Sequence, residues 1–350
     1  MAPRRGLIEL RTAPHQKAVQ DVPVIMRNVV YALLPIVAFS IWQYGLSALA
    51  LVLVVTASCL GTERWLSHLA ARANTLADGS AVITGLLLAL TLPPGFPLWM
   101  GAVAGFIAIA LGKALFGGLG GNVFNPALVG RAFAQAAFPA AITSWTPAYF
   151  PSRFVEFIPS SLTLPFMRPV DTLGWAQQQV DGFTGATPLA RWQFDNVVTP
   201  WQDFISGVAT ASAGETSALL ILVCGLYLAL RRFMDWRIPV AVLGSAVLLA
   251  WGFQLWDAAR YPDPLFVLVS GGLMLGAVFM ATDMATAPMT PAGVWIYGAV
   301  IGGLTVVIRY LGGLTEGVMY AILFANALAP LIDRYTQPRV FGAVKPGKRT

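Results

Sequence analysis

Residues 45–62 read GLSALALVLVVTASCLGT, a run without a charged side chain. A helix needs about 20 apolar residues to cross the hydrocarbon core of a bilayer, so this run predicts a membrane-spanning helix. Similar runs recur along the chain, in which 57% of the 350 residues are hydrophobic and 11% are charged. Soluble domains carry about 25% charged residues. The composition therefore excludes a water-soluble globule and predicts an all-α integral membrane protein.

Apolar runs bounded by turn and charge signals predict about ten crossings in two sets of five. The first set lies near 24–43, 45–62, 81–98, 99–116 and 122–140, and the second near 214–230, 238–256, 264–281, 293–310 and 315–332. Within the first set, 81–92 stops at Pro93-Pro94 and 126–138 lies between two prolines. Both are too short for a crossing, so we expect broken or re-entrant helices there.

The chain divides accordingly into five parts. They are an N-terminal tail (1–21), a first membrane repeat (22–140), a long loop (141–213), a second membrane repeat (214–332) and a C-terminal tail (333–350). If the amino terminus lies in the cytoplasm, most of the 22 Lys and Arg residues fall on the cytoplasmic side. Arg309 is among the few that fall on the outer side. This bias predicts that both termini are cytoplasmic and the loop extracytoplasmic. The +6 charge therefore indicates topology and contact with anionic lipid rather than nucleic-acid binding.

A short glycine pattern occurs once in each set of crossings. Gly101-Ala102-Val103-Ala104-Gly105 recurs as Gly298-Ala299-Val300-Ile301-Gly302, each after a tryptophan. Five crossings per half would give the halves opposite orientations, which predicts an inverted repeat with sites at the interface of its halves. Small residues that let helices approach closely are the alternative explanation of the glycines.

Cysteine and histidine are too scarce for metal-based redox chemistry. Cys59 and Cys224 lie in separate apolar runs and are interpreted as packed free thiols, and two histidines are too few for bis-His haem ligation. Any electron transfer by this chain would therefore need an organic cofactor or the metal of a partner.

The loop contains Asp181-Gly182-Phe183-Thr184-Gly185-Ala186-Thr187, in which small residues leave the Thr187 hydroxyl accessible. Its residue types alone are compatible with an ordinary turn, in which the hydroxyl of Thr184 or Thr187 forms a hydrogen bond with the backbone.

The same segment resembles the flavinylation motif D-x-x-[S/T]-G-A-T, in which a dedicated transferase joins the phosphate of FMN to the last threonine. Residues 78–90, Pro93-Pro94, 117–127 and 279–283 also resemble the family that contains the D subunit of the Rnf ion-translocating ferredoxin:NAD oxidoreductase. The B subunit of the sodium-pumping NADH:quinone reductase is a more distant member. The resemblance covers nearly the whole chain.

The resemblance implies a flavoprotein subunit in a bacterial inner membrane. Thr187 would carry covalent FMN, and Asp181, Thr184, Gly185 and Ala186 would form the motif that the FMN transferase reads. A second, noncovalent flavin, riboflavin, is expected in the membrane part. The expected partners are other Rnf subunits, including a second FMN-bearing subunit and membrane subunits, since the chain has no nucleotide-binding fingerprint of its own.

Four polar residues near the predicted spans remain open to two interpretations. Asn122 and Asn125 could bond the second flavin or cap and join helices. Asp283 could serve an ion or proton path or be a solvated helix end. Arg131 lies in the middle of a predicted membrane helix and needs a binding partner there, which would be a structural ion pair or a contact with a cofactor or partner subunit. Lys113 is expected to snorkel to the cytoplasmic surface.

The function predicted from these observations is electron relay through flavins, coupled to Na+ or H+ translocation within a complex. A small-solute transporter or channel is the alternative, because inverted repeats with broken helices are typical of those folds. A scaffold for redox partners is the third possibility. Covalent flavin on the chain distinguishes the first from the others.

Overall fold

The chain is described by a computed structural model covering residues 21–70, 75–180, 183–200, 204, 212–215 and 217–338. Every regular element in these ranges is helical, as the sequence predicts. Many large apolar side chains on the long helices point outward, among them Leu53, Leu226, Leu248 and Trp251. An exposed apolar surface of this extent is typical of a membrane interface, which agrees with an integral membrane protein.

The described residues of the first part of the chain form eight α-helices. They are α1 (Val22–Tyr44), α2 (Leu46–Leu69), α3 (Ser80–Thr91), α4 (Leu98–Ile109), α5 (Pro126–Ala137), α6 (Pro139–Ile142), α7 (Leu173–Gln179) and α8 (Pro188–Asp195). Helix α4 continues as a π-helical turn over Ala110–Ala114, and short 3₁₀ turns lie at Leu76–Asp78 and Pro159–Leu162.

In the second part, the residues that the structure describes form six α-helices. They are α9 (Ala218–Leu230), α10 (Arg237–Trp256), α11 (Pro264–Val269), α12 (Leu273–Leu275), α13 (Pro291–Leu311) and α14 (Val318–Thr336). A π-helical turn over Gly276–Met280 extends α12.

The two short segments predicted in the first set are short helices, α3 and α5, of 12 residues each. The prolines explain their ends: Pro93 follows α3, and Pro126 and Pro139 bound α5. The segment 264–281, predicted as a crossing, is not one continuous helix, because the chain is broken at 270–272 between α11 and α12. Whether it crosses the membrane stays a prediction. Within the described ranges, four helices are long and apolar enough to cross a membrane by themselves, namely α1, α2, α10 and α13.

The repeated glycines lie at equivalent helix contacts in the two halves. A Cβ built on Gly105 would lie 3.1 Å from the Val55 carbonyl oxygen of α2, so α4 packs closely on α2. A Cβ on Gly302 would overlap the Val242 carbonyl oxygen of α10, so α13 packs equally closely on α10. The glycines thus allow close packing between long helices in each half. The inverted relation of the halves and the domain boundaries stay predictions.

The segment after α6 docks on one end of the helices. The Leu46 amide donates to the Arg153 carbonyl oxygen at 2.9 Å, and the Ser160 hydroxyl donates to the Gly95 carbonyl oxygen at 2.6 Å. Gly45 has φ +67, and a Cβ there would overlap the Arg153 carbonyl group. Only glycine fits this conformation and this approach, so the turn between α1 and α2 is shaped to receive the segment.

Candidate functional site

Thr187 is the N-cap residue of α8. Its Oγ1 accepts a hydrogen bond from the Ala190 amide at 3.2 Å, and Pro188 occupies the first helical position. The residue is 6% exposed. The expectation of an accessible hydroxyl is therefore wrong for this state of the chain, because capping of α8 turns the side chain inward.

The other motif residues that the structure describes precede Thr187 in a segment without regular helix. Thr184 is exposed and Ala186 is half-buried. Gly185 has φ +70, and a Cβ there would lie 2.8 Å from Leu173 Cδ1, so both backbone conformation and packing favour glycine. Asp181 lies outside the described residues.

Helix α8 is held against the second half of the chain. The Gln193 amide donates to the Gly312 carbonyl oxygen at 2.9 Å, and the Trp192 ring lies 5.2 Å from the Tyr310 ring. These contacts fix the position of Thr187 relative to the segment between α13 and α14.

A cavity of about 250 Å³ lies directly beside Thr187. Its wall includes Glu215, Gly271 and Glu316 together with apolar side chains. Glu215 precedes α9, Gly271 lies at the break between α11 and α12, and Glu316 precedes α14. Neither glutamate was predicted as a site residue. Their sequence signal is weak, since each lies just outside an apolar run like many interfacial residues.

Arg131 lies next to this cavity and pairs with Glu316. Its Nη2 is 3.0 Å from Glu316 Oε2, and its Nη1 donates to the Thr91 carbonyl oxygen at the end of α3. Of the two roles left open for Arg131, the structure provides the structural pairing. Arg309, which the charge bias assigns to the outer side, is buried: it is 1% exposed and donates to the Val267 and Ser270 carbonyl oxygens. Its side of the membrane stays a prediction.

A larger cleft of about 770 Å³ lies at the opposite end of α3. Ser80 at the start of α3 lines it, whereas Thr91 at the end of α3 contacts the Arg131 cluster. The cleft runs along α3 from Ser80 to Leu87, so it ends about one helical turn before Thr91.

The structure brings Asn122, Asn125 and Asp283 together at this cleft. Asn125 caps α5, accepting from the Ala127 amide at 3.0 Å, and donates to the Met280 carbonyl oxygen at 3.2 Å. It therefore caps a helix and joins the two halves. The Asn122 Oδ1 atom is buried and has no hydrogen-bond donor among the described residues.

Asp283 lies after the π-helical turn that follows α12. It accepts from the Ala285 amide at 3.1 Å and interacts with the Asn122 side chain. Burial raises the pKa of this carboxyl group, so Asp283 is not a freely solvated helix end.

Lys113 was expected to reach the surface, and this expectation is wrong. Lys113 is 4% exposed and lies in the π-helical turn after α4. Its Nζ is 2.5 Å from Glu63 Oε1 and 2.6 Å from the Ser80 hydroxyl. A buried ammonium group needs such partners, and Glu63, on α2, was missed by the sequence analysis.

The surroundings of Thr187 fit the phosphate of a covalently attached FMN. An ester on Oγ1 would place a negative phosphate at the N-terminus of α8, where the helix dipole favours it. The 250 Å³ cavity is smaller than typical cofactor sites, so the flavin ring would extend away from it. Among the described residues, no group of three His, Cys, Asp or Glu side chains could hold a metal ion.

The apolar helices and the charged pairs buried between them define a multi-pass helical membrane protein. Residues 9–342 match the model of the NQR2, RnfD, RnfE family, so the chain belongs to this family and the predicted resemblance is confirmed.

Several relatives carry names that describe the complexes to which they belong. The chain is similar to the D subunit of the proton-translocating ferredoxin:NAD(+) oxidoreductase complex of Clostridium ljungdahlii, with 36% identity covering 97% of each chain. It is also similar to the D subunit of the Na(+)-translocating ferredoxin:NAD(+) oxidoreductase complex of Acetobacterium woodii, with 38% identity covering 97% of this chain and 96% of the relative. A third relative, the D subunit of the ion-translocating oxidoreductase complex of Halorhodospira halophila, is 36% identical over 97% of each chain.

Proposed function

We propose that this chain is the flavin-carrying D subunit of an ion-translocating ferredoxin:NAD oxidoreductase complex. Membership of the family supports the complex, and the motif that ends at Thr187 supports the flavin. The single observation that carries the proposal is the position of Thr187 at the N-terminus of α8, beside a small cavity that two glutamates line. The attached FMN would supply the electron exchange that no side chain of the chain offers.

The chain's own residues would position the attachment site. Thr187 anchors the phosphate, and the Ala190 amide remains a donor to the ester oxygen. Gln193 and Trp192 hold α8 on the second half, so the anchor is fixed relative to the helices. Both termini would be cytoplasmic and the segment that carries Thr187 extracytoplasmic.

We place the proposed second flavin, riboflavin, in the 770 Å³ cleft. The unpartnered Asn122 Oδ1 would accept from a ring N–H group, and Phe279 and Met26 contribute apolar wall. Asn125 would shape the cleft by holding α5 to Met280 rather than touch the ring. The second flavin would then lie along α3 between Ser80 and Leu87, and the first would lie beyond the Thr91 end of this helix, as an electron relay across the chain requires. Asp283 borders the cleft and stays the candidate for an ion or proton path.

The complex would provide the remaining functions. Other subunits, including a second FMN-bearing subunit and membrane subunits, would bind ferredoxin and NAD, and membrane lipid would cover the apolar surface. The FMN transferase would act during maturation. Relatives of the chain carry names with either H+ or Na+ as the coupling ion, so both ions are retained for this complex.

Mass analysis tests the covalent flavin. The full chain is produced with the FMN transferase, purified and denatured, and its in-gel flavin fluorescence is recorded. We expect fluorescence on the polypeptide and a peptide containing Thr187 heavier by FMN less one water. Thr187→Val abolishes both, whereas Thr199→Val, a buried threonine of the same segment, changes neither. A bare Thr187 peptide after coexpression with the active transferase contradicts the proposal and favours a transporter.

Flavin released on denaturation tests the second site. Asn122→Leu is expected to lower the riboflavin released from the purified chain while leaving the covalent fluorescence unchanged. Asn28→Leu removes an amide that bonds Tyr227 and serves as the control. Unchanged riboflavin release in Asn122→Leu would place the second flavin elsewhere.

A further inference from the structure

Two buried arginines bind the carbonyl ends of two short helices close to Thr187. Arg131 donates to the Thr91 carbonyl oxygen at the end of α3. Arg309 donates to the Val267 and Ser270 carbonyl oxygens at the end of α11, at 2.8 and 3.0 Å. The arginines are 8% and 1% exposed. The negative ends of two helix dipoles thus keep two guanidinium charges in the interior.

Two carboxyl groups lie between these arginines. Glu316 Oε2 is 3.0 Å from Arg131 Nη2, and Glu215 interacts with the Glu316 side chain. A Cβ on Gly272 would lie 3.1 Å from Glu215 Oε1, and a Cβ on Gly271 would lie 3.1 Å from Glu316 Oε1. The bare glycine backbone at the break between α11 and α12 therefore makes room for both carboxyl groups.

One carboxylate oxygen of this cluster has no donor. Glu215 is half-buried and its carboxyl group interacts with the Ser212 hydroxyl, but its buried Oε1 atom has no donor among the described residues. Glu316 already accepts from Arg131. A charged oxygen without a donor in this position is unfavourable in free energy, and ionisation of both adjacent carboxyl groups is opposed by repulsion between their charges. A proton shared between the two groups removes both costs.

The surrounding charges favour a proton over a metal cation. The charged groups that face Glu215 are Arg131 from α5, Arg309 from α13 and Glu316 from the segment before α14. Tyr310 adjoins Arg309. Two guanidinium groups occupy the helix-end carbonyl oxygens that would otherwise coordinate Na+. A sodium ion would thus meet two positive charges and lose its carbonyl ligands.

We propose that Glu215 and Glu316 form a proton-binding carboxyl pair, linked electrostatically to the group carried by Thr187. The linkage rests on the proposed function, whereas the proton site does not. Thr187, Glu215 and Glu316 line one cavity, so negative charge on Thr187 acts on the carboxyl pair at short range. Burial and the adjacent Glu316 raise the pKa of Glu215, in agreement with the geometry.

The charge balance gives the direction of the linkage. With one proton bound, two guanidinium groups face one carboxylate, and the cluster carries one net positive charge. A phosphoester on Thr187 compensates this charge, and an electron added to the flavin by a low-potential donor increases the negative charge further. Where Glu215 is still ionised, this negative charge would favour uptake of a proton from the solvent, which converts the carboxylate to a neutral carboxylic acid. Each additional negative charge on Thr187 therefore strengthens proton binding.

Infrared spectroscopy of the full chain tests the proton site without any flavin. We expect a carboxylic-acid C=O band at neutral pH in chain produced without the transferase, with the usual shift in D2O. Glu215→Gln removes this band, and Glu156→Gln, at an exposed glutamate of the outer segment, retains it. Titration of the wild-type band needs no variant and keeps the test valid if Glu215→Gln folds poorly. Absence of the band at neutral pH in the wild type overturns the proposal.

Comparison of the flavinylated and unmodified chains tests the linkage. We expect flavin attachment to move the titration of the band to higher pH, and dithionite reduction to move it further. An unchanged titration after verified FMN attachment overturns the linkage. Failure of FMN to attach would contradict the proposed function instead, and the unmodified chain would still report on the proton site.

Discussion

The Nη2 atom of Arg131 lies 3.0 Å from Oε2 of Glu316, although 185 positions separate the two residues. The pair joins α5 of the first half to the segment that precedes α14 of the second. The side chains are 9% and 19% exposed, so water screens the pair little. The halves are thus fixed to each other next to the cavity that Thr187 lines.

Removal of the arginine is expected to destabilise the chain strongly. Arg131→Met leaves Glu316 without its cation and the Thr91 carbonyl oxygen without its donor, and loss of one partner of a buried pair costs about 3–5 kcal/mol. Thermal unfolding of the purified chain in detergent measures the loss. Arg168→Met, at an exposed position, should unfold like the wild type. Losses in Arg131→Met and Glu316→Gln that simply add in the double variant would show that the pair does not interact.

Adjacent glycines of α13 offer a matched test of the helix contact. A Cβ at Gly302 would overlap the Val242 carbonyl oxygen, whereas a Cβ at Gly303 meets nothing within 4 Å. Gly302→Ala should lower the free energy of unfolding by about 1–3 kcal/mol through overpacking. Gly303→Ala should raise it by up to about 1 kcal/mol, because alanine favours the helix. Equal effects in a thermal unfolding assay would contradict the close approach of α13 and α10.

The buried Lys113 is expected to depend on Glu63. Lys113→Met leaves the Glu63 carboxylate buried without its cation, which should lower the unfolding temperature markedly. Glu63→Gln combined with Lys113→Met removes both charges and should recover much of the loss. If Lys113 instead snorkels to the surface, the single variant will be as stable as the wild type in the same assay.

Local patterns in the sequence predicted the features that neighbouring residues determine, namely the positions and ends of helices and the motif. The apolar runs located the long helices, the prolines located the ends of α3 and α5, and the motif around Thr187 indicated the family. The repeated glycines located close contacts between helices, without revealing which carbonyl oxygens they approach. These features are readable because each arises from the period, length or turn chemistry of one segment.

The charged clusters could not be predicted in the same way. Glu316 meets Arg131 across 185 positions, and Lys113 meets Glu63 across 50, so no local spacing connects the partners. Arg309 lies near the end of an apolar run, where a surface arginine is the usual interpretation. Its burial follows from the break between α11 and α12, which exposes carbonyl oxygens that a guanidinium group binds. Such pairings depend on how the helices pack, not on the residues beside them.

Glu215 should make the stability of the unmodified chain depend on pH. Burial and Glu316 raise the pKa of Glu215 in the folded chain, whereas an unfolded glutamate has a pKa of about 4.3. The stabilisation that the Glu215 proton contributes is therefore fully present below the unfolded pKa. It declines as the pH rises from the unfolded pKa to the raised folded pKa, because in this interval only the folded state still holds the proton. Glu215→Gln has no proton to lose and should show a smaller decline in unfolding temperature across a pH series, whereas the exposed control Glu156→Gln should decline like the wild type. A decline in Glu215→Gln equal to that of the wild type would assign the pH dependence to other groups.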